Sequence, residues 1–152
     1  MNLDLNNPSC NLFVFVIWAK ARKFEPQIRE ALAREFTIVH EEEIRWPWWG
    51  FTKKLFEFYK FGSKFIWWNK ARKCGRGPFK VIIIEDPSPV WKEETDTRGQ
   101  HLIVDSHVYE LKKAMRHLTG HSNIIHSSVT REETAEQLAV LCQDSKRLKN
   151  LV

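Results

Sequence analysis

Two short, continuous apolar runs constrain the fold of this chain more than any other feature. Residues 12–18 (LFVFVIW) and residues 80–84 (KVIII) consist mainly of β-branched, aromatic and leucine side chains. Runs of this length and composition predict strands that are buried on both faces of a sheet. Both are far shorter than the roughly 20 apolar residues that a membrane-spanning helix needs. The two runs therefore predict the interior strands of a globular protein.

Two further segments predict strands of a different kind. Residues 37–46 (TIVHEEEIRW) carry three glutamates and predict a partly exposed strand, which Pro47 ends. Residues 122–127 (SNIIHS) predict a short last strand. The alternating polar face of the second strand favours an antiparallel or mixed sheet over a fully parallel one.

Helical patterns separate these strands. Apolar residues at near-helical spacing follow Pro26, a residue that the first turn of a helix tolerates. Thr130 with Glu133 forms a capping box for the last helix, which is predicted to run to about Cys142. The other two helices are predicted over residues 50–61 and from Asp105 or Ser106 to Gly120.

The resulting order, β-α-β-α-β-α-β-α, predicts an α/β (α+β) protein with a ferredoxin-like two-layer sandwich. The 152 residues are expected to form a single domain, 1–152, with a core over about 12–142 and a loosely held C-terminal tail. Residues 85–101 carry two prolines and many charges, and predict an irregular surface excursion.

The charge distribution predicts an anionic partner. The formal net charge is +5, and the excess is concentrated in residues 60–80 (KFGSKFIWWNKARKCGRGPFK), which contain no acid. Trp67 and Trp68 between these cations could stack on the bases of a nucleic acid, or dock on an anionic membrane surface. A third interpretation is that this segment and WPWWGF are buried or form a protein–protein contact.

Other sequence signals exclude several classes of protein. Three widely spaced cysteines without a CxxC pair indicate neither a disulfide framework nor a zinc site. The three histidines near residue 120 have poor spacing for a metal, so no metal site is predicted. The N-terminal residues MNLDLNNPS lack the features of a signal peptide, and a cytoplasmic protein is expected.

His126 lies at the end of the last predicted strand, immediately before a capped helix. A histidine there is fixed by the sheet, and the free N–H groups of a helix N-terminus suit a phosphate. On these residues alone, a structural histidine and a functional one both remain open.

The segment around His126 resembles the active site of nucleoside diphosphate kinases. NIIHSSVTREETAEQL is similar to the family's Asn-Ile-Ile-His-Gly-Ser-Asp and the helix after it, and GPFKVIIIED is similar to the family's Gly-Pro strand. Tyr59 precedes that strand at about the family's spacing, and the interval from Arg116 to Gly120 matches a phosphate-binding helix. The resemblance extends over residues 12–142.

The resemblance implies phosphoryl transfer from a nucleoside triphosphate to a diphosphate, with His126 as the catalytic phosphohistidine nucleophile. Five further residues are implied to contact the substrate or its phosphates: Lys20, Tyr59, Arg116, Asn123 and Ser128. The implied partners are nucleoside di- and triphosphates, or another phosphorylated small molecule, with Mg²⁺ accompanying the nucleotide.

Several positions depart from the family's pattern. The family's Gly-Ser-Asp is Ser127-Ser128-Val129 here, and Gln137 stands where a glutamate orients the histidine, with Glu133 or Glu136 as substitutes. The family's long loop after Gly120 is missing, so a dimer is expected and a hexamer is not assumed. Residues 85–105 are an insertion. A non-catalytic binding module of the same fold, engaging nucleic acid, a membrane surface or a protein through the basic aromatic segment, is the alternative to an enzyme.

Overall fold

A four-stranded antiparallel sheet forms the centre of the fold. It appears in a computed structural model that describes residues 11–60, 64–120 and 124–151, without the side chains of residues 64 and 65. The strands are β1 (Leu12–Ile17), β2 (Thr37–Ile44), β3 (Phe79–Glu85) and β6 (Ile125–Ser127), in the order β2-β3-β1-β6. The two apolar runs thus form the two central strands, and the glutamate-bearing strand is partly exposed, as predicted; it lies at an edge of the sheet.

Helices cover both faces of this sheet. One face packs against α1 (Glu25–Glu35) and α4 (Ser106–Thr119), and the other packs against α2 (Phe51–Tyr59), α3 (Lys64–Cys74) and α5 (Arg131–Leu141). Alternate residues of β1 enter the two cores: Phe13, Phe15 and Ile17 on the α1/α4 side, Val14 and Val16 on the other. The β1-α1-β2-β3-α4-β6 unit confirms the ferredoxin-like prediction. Outside this unit, α2, α3 and α5 pack on the second face of the sheet.

The segment predicted to be an irregular excursion contains a β-hairpin instead. Strands β4 (Trp91–Thr95) and β5 (His101–Asp105) pair antiparallel. The Asp96 carboxylate accepts backbone hydrogen bonds from Arg98 and Gln100 at 2.8 and 2.9 Å, and Gly99 in the turn has a φ of 78°. These contacts stabilise a turn that the sequence pattern did not indicate.

Two further segments that were not predicted to be helical form helices. The basic aromatic segment forms α3, whose Trp67, Ala71 and Cys74 have helical spacing and are buried. The tail predicted to be loosely held forms α6 (Lys146–Leu151), because Leu148 is fully buried and the Ser145 hydroxyl accepts a hydrogen bond from the Leu148 N–H.

The helix ends nearest the site follow the predicted signals. Asp105 caps α4 by accepting a hydrogen bond from the His107 N–H at 2.9 Å, and Gly120 ends that helix with a φ of 69°. The Thr130 hydroxyl accepts a bond from the Glu133 N–H at 3.1 Å, which confirms the cap of α5. No helix in the described part of the chain is long and apolar enough to cross a membrane.

Candidate functional site

His126 lies in the middle of β6, opposite Val16 of β1. Its side chain is only 3% exposed and points toward α2 and α5. The rings of Phe58 and Tyr59 contact the imidazole edge-on, at centroid distances of 5.4 and 4.8 Å. The histidine therefore occupies an interior position, beneath aromatic side chains of α2.

Gln137 and Glu133 of α5 fix the state of the imidazole. Gln137 Nε2 lies 2.7 Å from His126 Nε2 and 3.2 Å from Glu133 Oε1. Because the carboxylate can only accept, the amide group of Gln137 must present its N–H bonds to both atoms. In the neutral ring His126 Nε2 then accepts from Gln137, and the same nitrogen lies 3.4 Å from Glu133 Oε1. Gln137 thus takes the position next to the histidine that the resemblance implied.

The surroundings also hold His126 neutral. Burial lowers the pKa of His126 well below its ordinary value, and the positive charges of Lys112, Lys70 and Arg116 lower it further. A neutral ring is compatible with the hydrogen bond from Gln137.

These three cations form the most unusual charge arrangement of the site. None of Lys70, Lys112 and Arg116 forms a salt bridge with a described carboxylate, although the Glu133 charge acts on Lys112 and Arg116. Lys112 Nζ donates to the Ser127 carbonyl at 2.6 Å, and burial lowers its pKa to about 8.

Arg116 and Lys70 are also partly desolvated. The buried Nε of Arg116 has no hydrogen-bond acceptor among the described residues. Lys70 Nζ lies 4.2 Å from the centre of the Tyr59 ring, and burial lowers its pKa. Three partly buried cations that repel one another indicate a place for an anion.

A cavity of about 420 Å³ is lined by Lys112 and Arg116, but not by Lys70. Tyr59 and Gln137, which contact His126, also line it, whereas His126 does not. The tip of the β4–β5 hairpin, residues 94–98, and carboxylates of α5 complete the lining. The insertion therefore helps to shape the cavity.

The other predicted site residues are dispersed. The Ser128 hydroxyl is fully buried, where it accepts a bond from the Val14 N–H and contacts Thr134 Oγ1, both at 2.8 Å. Lys20 Nζ donates to the Arg72 carbonyl at 2.7 Å and is not among the residues that line the cavity. Asn123 lies outside the described residues. The structure brings together His126, Tyr59 and Arg116 but not Lys20.

Sequence reasoning did not find Lys112 and Lys70 as residues of the site. Lys112 precedes Arg116 by four residues, so both project from one face of α4. That spacing was a usable signal. Lys70 was predicted only as one cation of the basic aromatic segment, because its approach to Tyr59 depends on how α3 packs on α2.

The basic aromatic segment and the preceding WPWWGF each divide into buried and exposed residues. Trp46 and Trp67 are buried, whereas Trp48, Trp49 and Trp68 are 66%, 87% and 59% exposed. The Arg76 guanidinium lies 5.1 Å from the ring centre of Trp48 and 4.9 Å from that of Trp68. We call the exposed set Trp48, Trp49, Trp68 and Arg76 the surface aromatic patch.

Solved structures of nucleoside diphosphate kinases have a similar fold. The enzyme of Aquifex aeolicus matches with a TM-score of 0.57 and 14% identity, over 86% of this chain and 94% of that one. A family protein from Babesia bovis matches at 0.50 and 15%, over 86% of each chain.

A third similar structure is a transition state mimic of the Borrelia burgdorferi enzyme with bound vanadate and ADP. It matches with a TM-score of 0.52 and 12% identity, over 87% of this chain and 86% of that one. No protein-family model and no curated protein matches the sequence. The structural likeness confirms the predicted nucleoside diphosphate kinase-like fold.

Proposed function

We propose that the protein binds a nucleoside phosphate, or a phosphorylated small molecule of similar size, in the cavity beside α4 and α5. The observation that carries this proposal is the convergence of Lys70, Lys112 and Arg116, none of which forms a salt bridge with a carboxylate of the described residues. A phosphate group next to them would relieve their mutual repulsion and give the Arg116 Nε–H an acceptor. The bound ADP of the Borrelia burgdorferi relative agrees with a ligand of this class.

The cavity is suitable for such a ligand. Its volume of about 420 Å³ falls in the usual range of small-molecule sites, roughly 300–1,000 Å³. Tyr59 and Tyr109 line it and offer aromatic surface next to the cations. Arg116 and Lys112 are expected to bind the phosphates, while the hairpin tip covers the rest of the ligand.

The proposed activity is binding without phosphoryl transfer through His126. A nucleophilic imidazole needs an accessible nitrogen lone pair. The Nε2 atom of His126 contacts Gln137 at 2.7 Å and Glu133 Oε1 at 3.4 Å, the residue is 3% exposed, and it is not among the residues that line the cavity. In this position the ring is not accessible to a phosphoryl group in the cavity.

Mg²⁺ would fit the cavity together with a nucleotide. This ion usually takes one or two carboxylates plus substrate phosphates. Glu132 lines the cavity, and its carboxylate forms no salt bridge with a described residue. Glu132 would hold the ion, which would neutralise phosphate charge.

Ligand binding can be tested by equilibrium dialysis with ADP and ATP. Arg116→Ala should weaken binding about 10- to 100-fold, because a hydrogen bond to a charged group contributes roughly 1.5–3 kcal/mol. Arg34→Ala is the matched control, since Arg34 is exposed on α1 and pairs with Glu30. Equal affinity of the Arg116 variant and the wild type would contradict the proposal.

The absence of transfer has its own test. The wild type is incubated with γ-labelled ATP, and alkali-stable, acid-labile label on the protein is measured. We expect none. If the wild type is labelled and His126→Asn is not, the ring becomes exposed and the phosphotransferase prediction is correct.

The surface aromatic patch favours a second function, docking on an anionic membrane surface. Ile66 and Phe56 are 49% and 47% exposed, and Lys73 and Arg76 belong to the same helix–turn segment. Tryptophan with exposed aliphatic side chains and cations is typical of an interfacial surface, whereas an isoleucine offers no ring on which a base can stack.

Vesicle co-sedimentation tests this docking. The wild type should bind vesicles with phosphatidylserine more than neutral vesicles, and Trp49→Ala/Trp68→Ala should bind less. Ile103→Ala is the control, because Ile103 is 59% exposed on the hairpin, outside the patch. Binding to single-stranded DNA but not to vesicles would identify a nucleic acid, and not a membrane, as the partner. A wild-type dimer that is lost in the double variant would identify a second copy of the chain as the partner.

A further inference from the structure

Two buried carboxylates lie side by side at the base of the β4–β5 hairpin. Asp86 follows β3 and Asp105 ends β5, so they stand at the two ends of the inserted segment. They are 2% and 0% exposed. One oxygen of each carboxyl group and one ring nitrogen of His107, two residues after Asp105, lie within 4.8 Å of one another.

One carboxylate oxygen of this group has no donor. Asp105 Oδ1 accepts the N–H of His107 at 2.9 Å, but Asp105 Oδ2 is buried without a hydrogen-bond partner among the described residues. Asp86 is better satisfied: Oδ1 accepts the Ser88 N–H and Oδ2 lies 2.8 Å from His107 Nδ1.

The negative charge of the pair is also not balanced by lysine or arginine. In the described part of the chain, His107 is the sole residue that forms an ion pair with either carboxylate. Two adjacent buried carboxylates without a cation are costly, because burial and mutual repulsion both disfavour the charged forms. A bound cation would remove both penalties.

We propose that Asp86, Asp105 and His107 bind a divalent transition-metal ion such as Zn²⁺ or Mn²⁺. One potential ligand atom from each side chain lies within 4.8 Å of the others. Tetrahedral ligands at about 2.1 Å from a metal are roughly 3.4 Å apart, so a small inward rotation of the side chains completes the site. Water fills the remaining positions on the side of His107, whose side chain is 45% exposed.

The ligand types select the class of ion. An imidazole nitrogen with two carboxylate oxygens suits Zn²⁺, Mn²⁺ or Co²⁺, whereas Mg²⁺ and Ca²⁺ prefer sites made of oxygen alone. The ion would connect the chain before the hairpin to the chain after it. Since the hairpin tip forms one wall of the cavity, the ion would hold that wall in place.

Co²⁺ titration of metal-free, tag-free protein tests the site without any nucleotide, and so independently of the proposed function. The wild type should bind one equivalent with the visible absorption of Co²⁺ in a nitrogen–oxygen site, and Zn²⁺ should displace it. Changes next to metal ligands cost roughly 10–100-fold in affinity, so His107→Gln should weaken binding at least tenfold. His101→Gln is the control, because His101 pairs with exposed Glu93 on the same hairpin.

Asp105→Asn separates metal binding from folding. Asparagine can still cap α4, and it removes the unpaired buried charge, so the metal-free variant should melt at or above the wild-type temperature. Zn²⁺ should raise the melting temperature of the wild type but not of this variant. If the wild type shows neither Co²⁺ absorption nor a Zn²⁺-dependent rise in melting temperature, the proposal is wrong. The remaining explanation of the carboxylate pair is then a proton shared between Asp86 and Asp105.

Discussion

An interior aromatic cluster and the surface aromatic patch take tryptophans from the same two sequence segments. The interior aromatic cluster consists of Trp18, Trp46, Phe58, Tyr59 and Trp67, and its Phe58 and Tyr59 rings contact His126. Trp46 belongs to WPWWGF together with the exposed Trp48 and Trp49, and Trp67 is next to the exposed Trp68. The fold therefore buries one tryptophan of each segment and exposes the others.

The division follows the helical rotation of about 100° per residue. In α3, Trp67 is 1% exposed and Trp68 is 59% exposed. The same happens on α4, where burial lowers the pKa of Lys112 to about 8 while Glu110 raises the pKa of exposed Lys113. Adjacent residues of one type thus differ in function according to the face they occupy.

The largest expected effect concerns Trp67. Its ring stacks on Tyr59 at 5.2 Å within the core, so Trp67→Ala should lower the free energy of unfolding by about 3–5 kcal/mol. Trp49→Ala, at an 87% exposed position, should change it by less than about 0.5 kcal/mol. Urea unfolding of both variants measures the difference. A similar loss of unfolding free energy in the two variants would mean that Trp49 is packed against other residues and is not free on the surface.

The second prediction concerns the pH dependence that the interior position gives to His126. Its pKa is lowered in the folded protein, so the unfolded chain binds more protons once the pH falls below about 6.5. The neutral, buried ring therefore contributes stability that is fully present above about pH 6.5. This part of the free energy of unfolding is lost by about 1.4 kcal/mol per pH unit as the pH falls toward the pKa of His126 in the folded protein. In His126→Gln the slope of the free energy of unfolding against pH should decrease by that amount. An unchanged slope would show that the ring titrates normally and is accessible.

A smaller effect distinguishes Lys112 from Lys113 in ligand binding. If phosphates require the charged form of Lys112, ADP affinity should decrease above pH 8, by up to about tenfold per pH unit. Dialysis between pH 7 and 9 measures this, and the decrease should disappear in Lys112→Gln. Lys113→Gln should keep it, because Lys113 pairs with Glu110 and its pKa is raised.

The smallest effect tests whether the patch stabilises the fold at all. Arg76 lies over both Trp48 and Trp68, and a cation–π contact at an exposed site contributes roughly 0.5–1 kcal/mol. Arg76→Ala should therefore lower the free energy of unfolding in urea by about that amount. A larger loss would indicate that Arg76 fixes the packing of α3, and that the interior and the surface aromatic residues are not independent.

The sequence predicted those parts of the fold whose signals are local. Strong apolar runs, the Thr130 cap and Gly120 are such signals, and the structure bears them out. The hairpin and α6 were missed because their stability comes from distant contacts, such as the Trp91 ring 6.2 Å from Phe13.

The site was less predictable than the fold. The motif identified His126 and its neighbour Gln137, and it placed Tyr59 and Arg116 nearby. Whether a strand-end histidine faces solvent or core depends on how α2 packs over it, which no local pattern encodes. The functional roles of all six residues, His126, Tyr59, Arg116, Lys20, Asn123 and Ser128, stay predictions.

The position of Ser128 affects the order in which the chain can fold. Its hydroxyl and its backbone N–H both bind Val14, 114 residues earlier in the chain, and so extend the pairing of β1 with β6 by one step. Contacts of such sequence separation close large loops, which costs entropy and slows folding. A nascent chain that has not yet exposed residue 128 leaves one edge of its central strand unpaired, so the region around His126 cannot form until nearly the whole chain has been made.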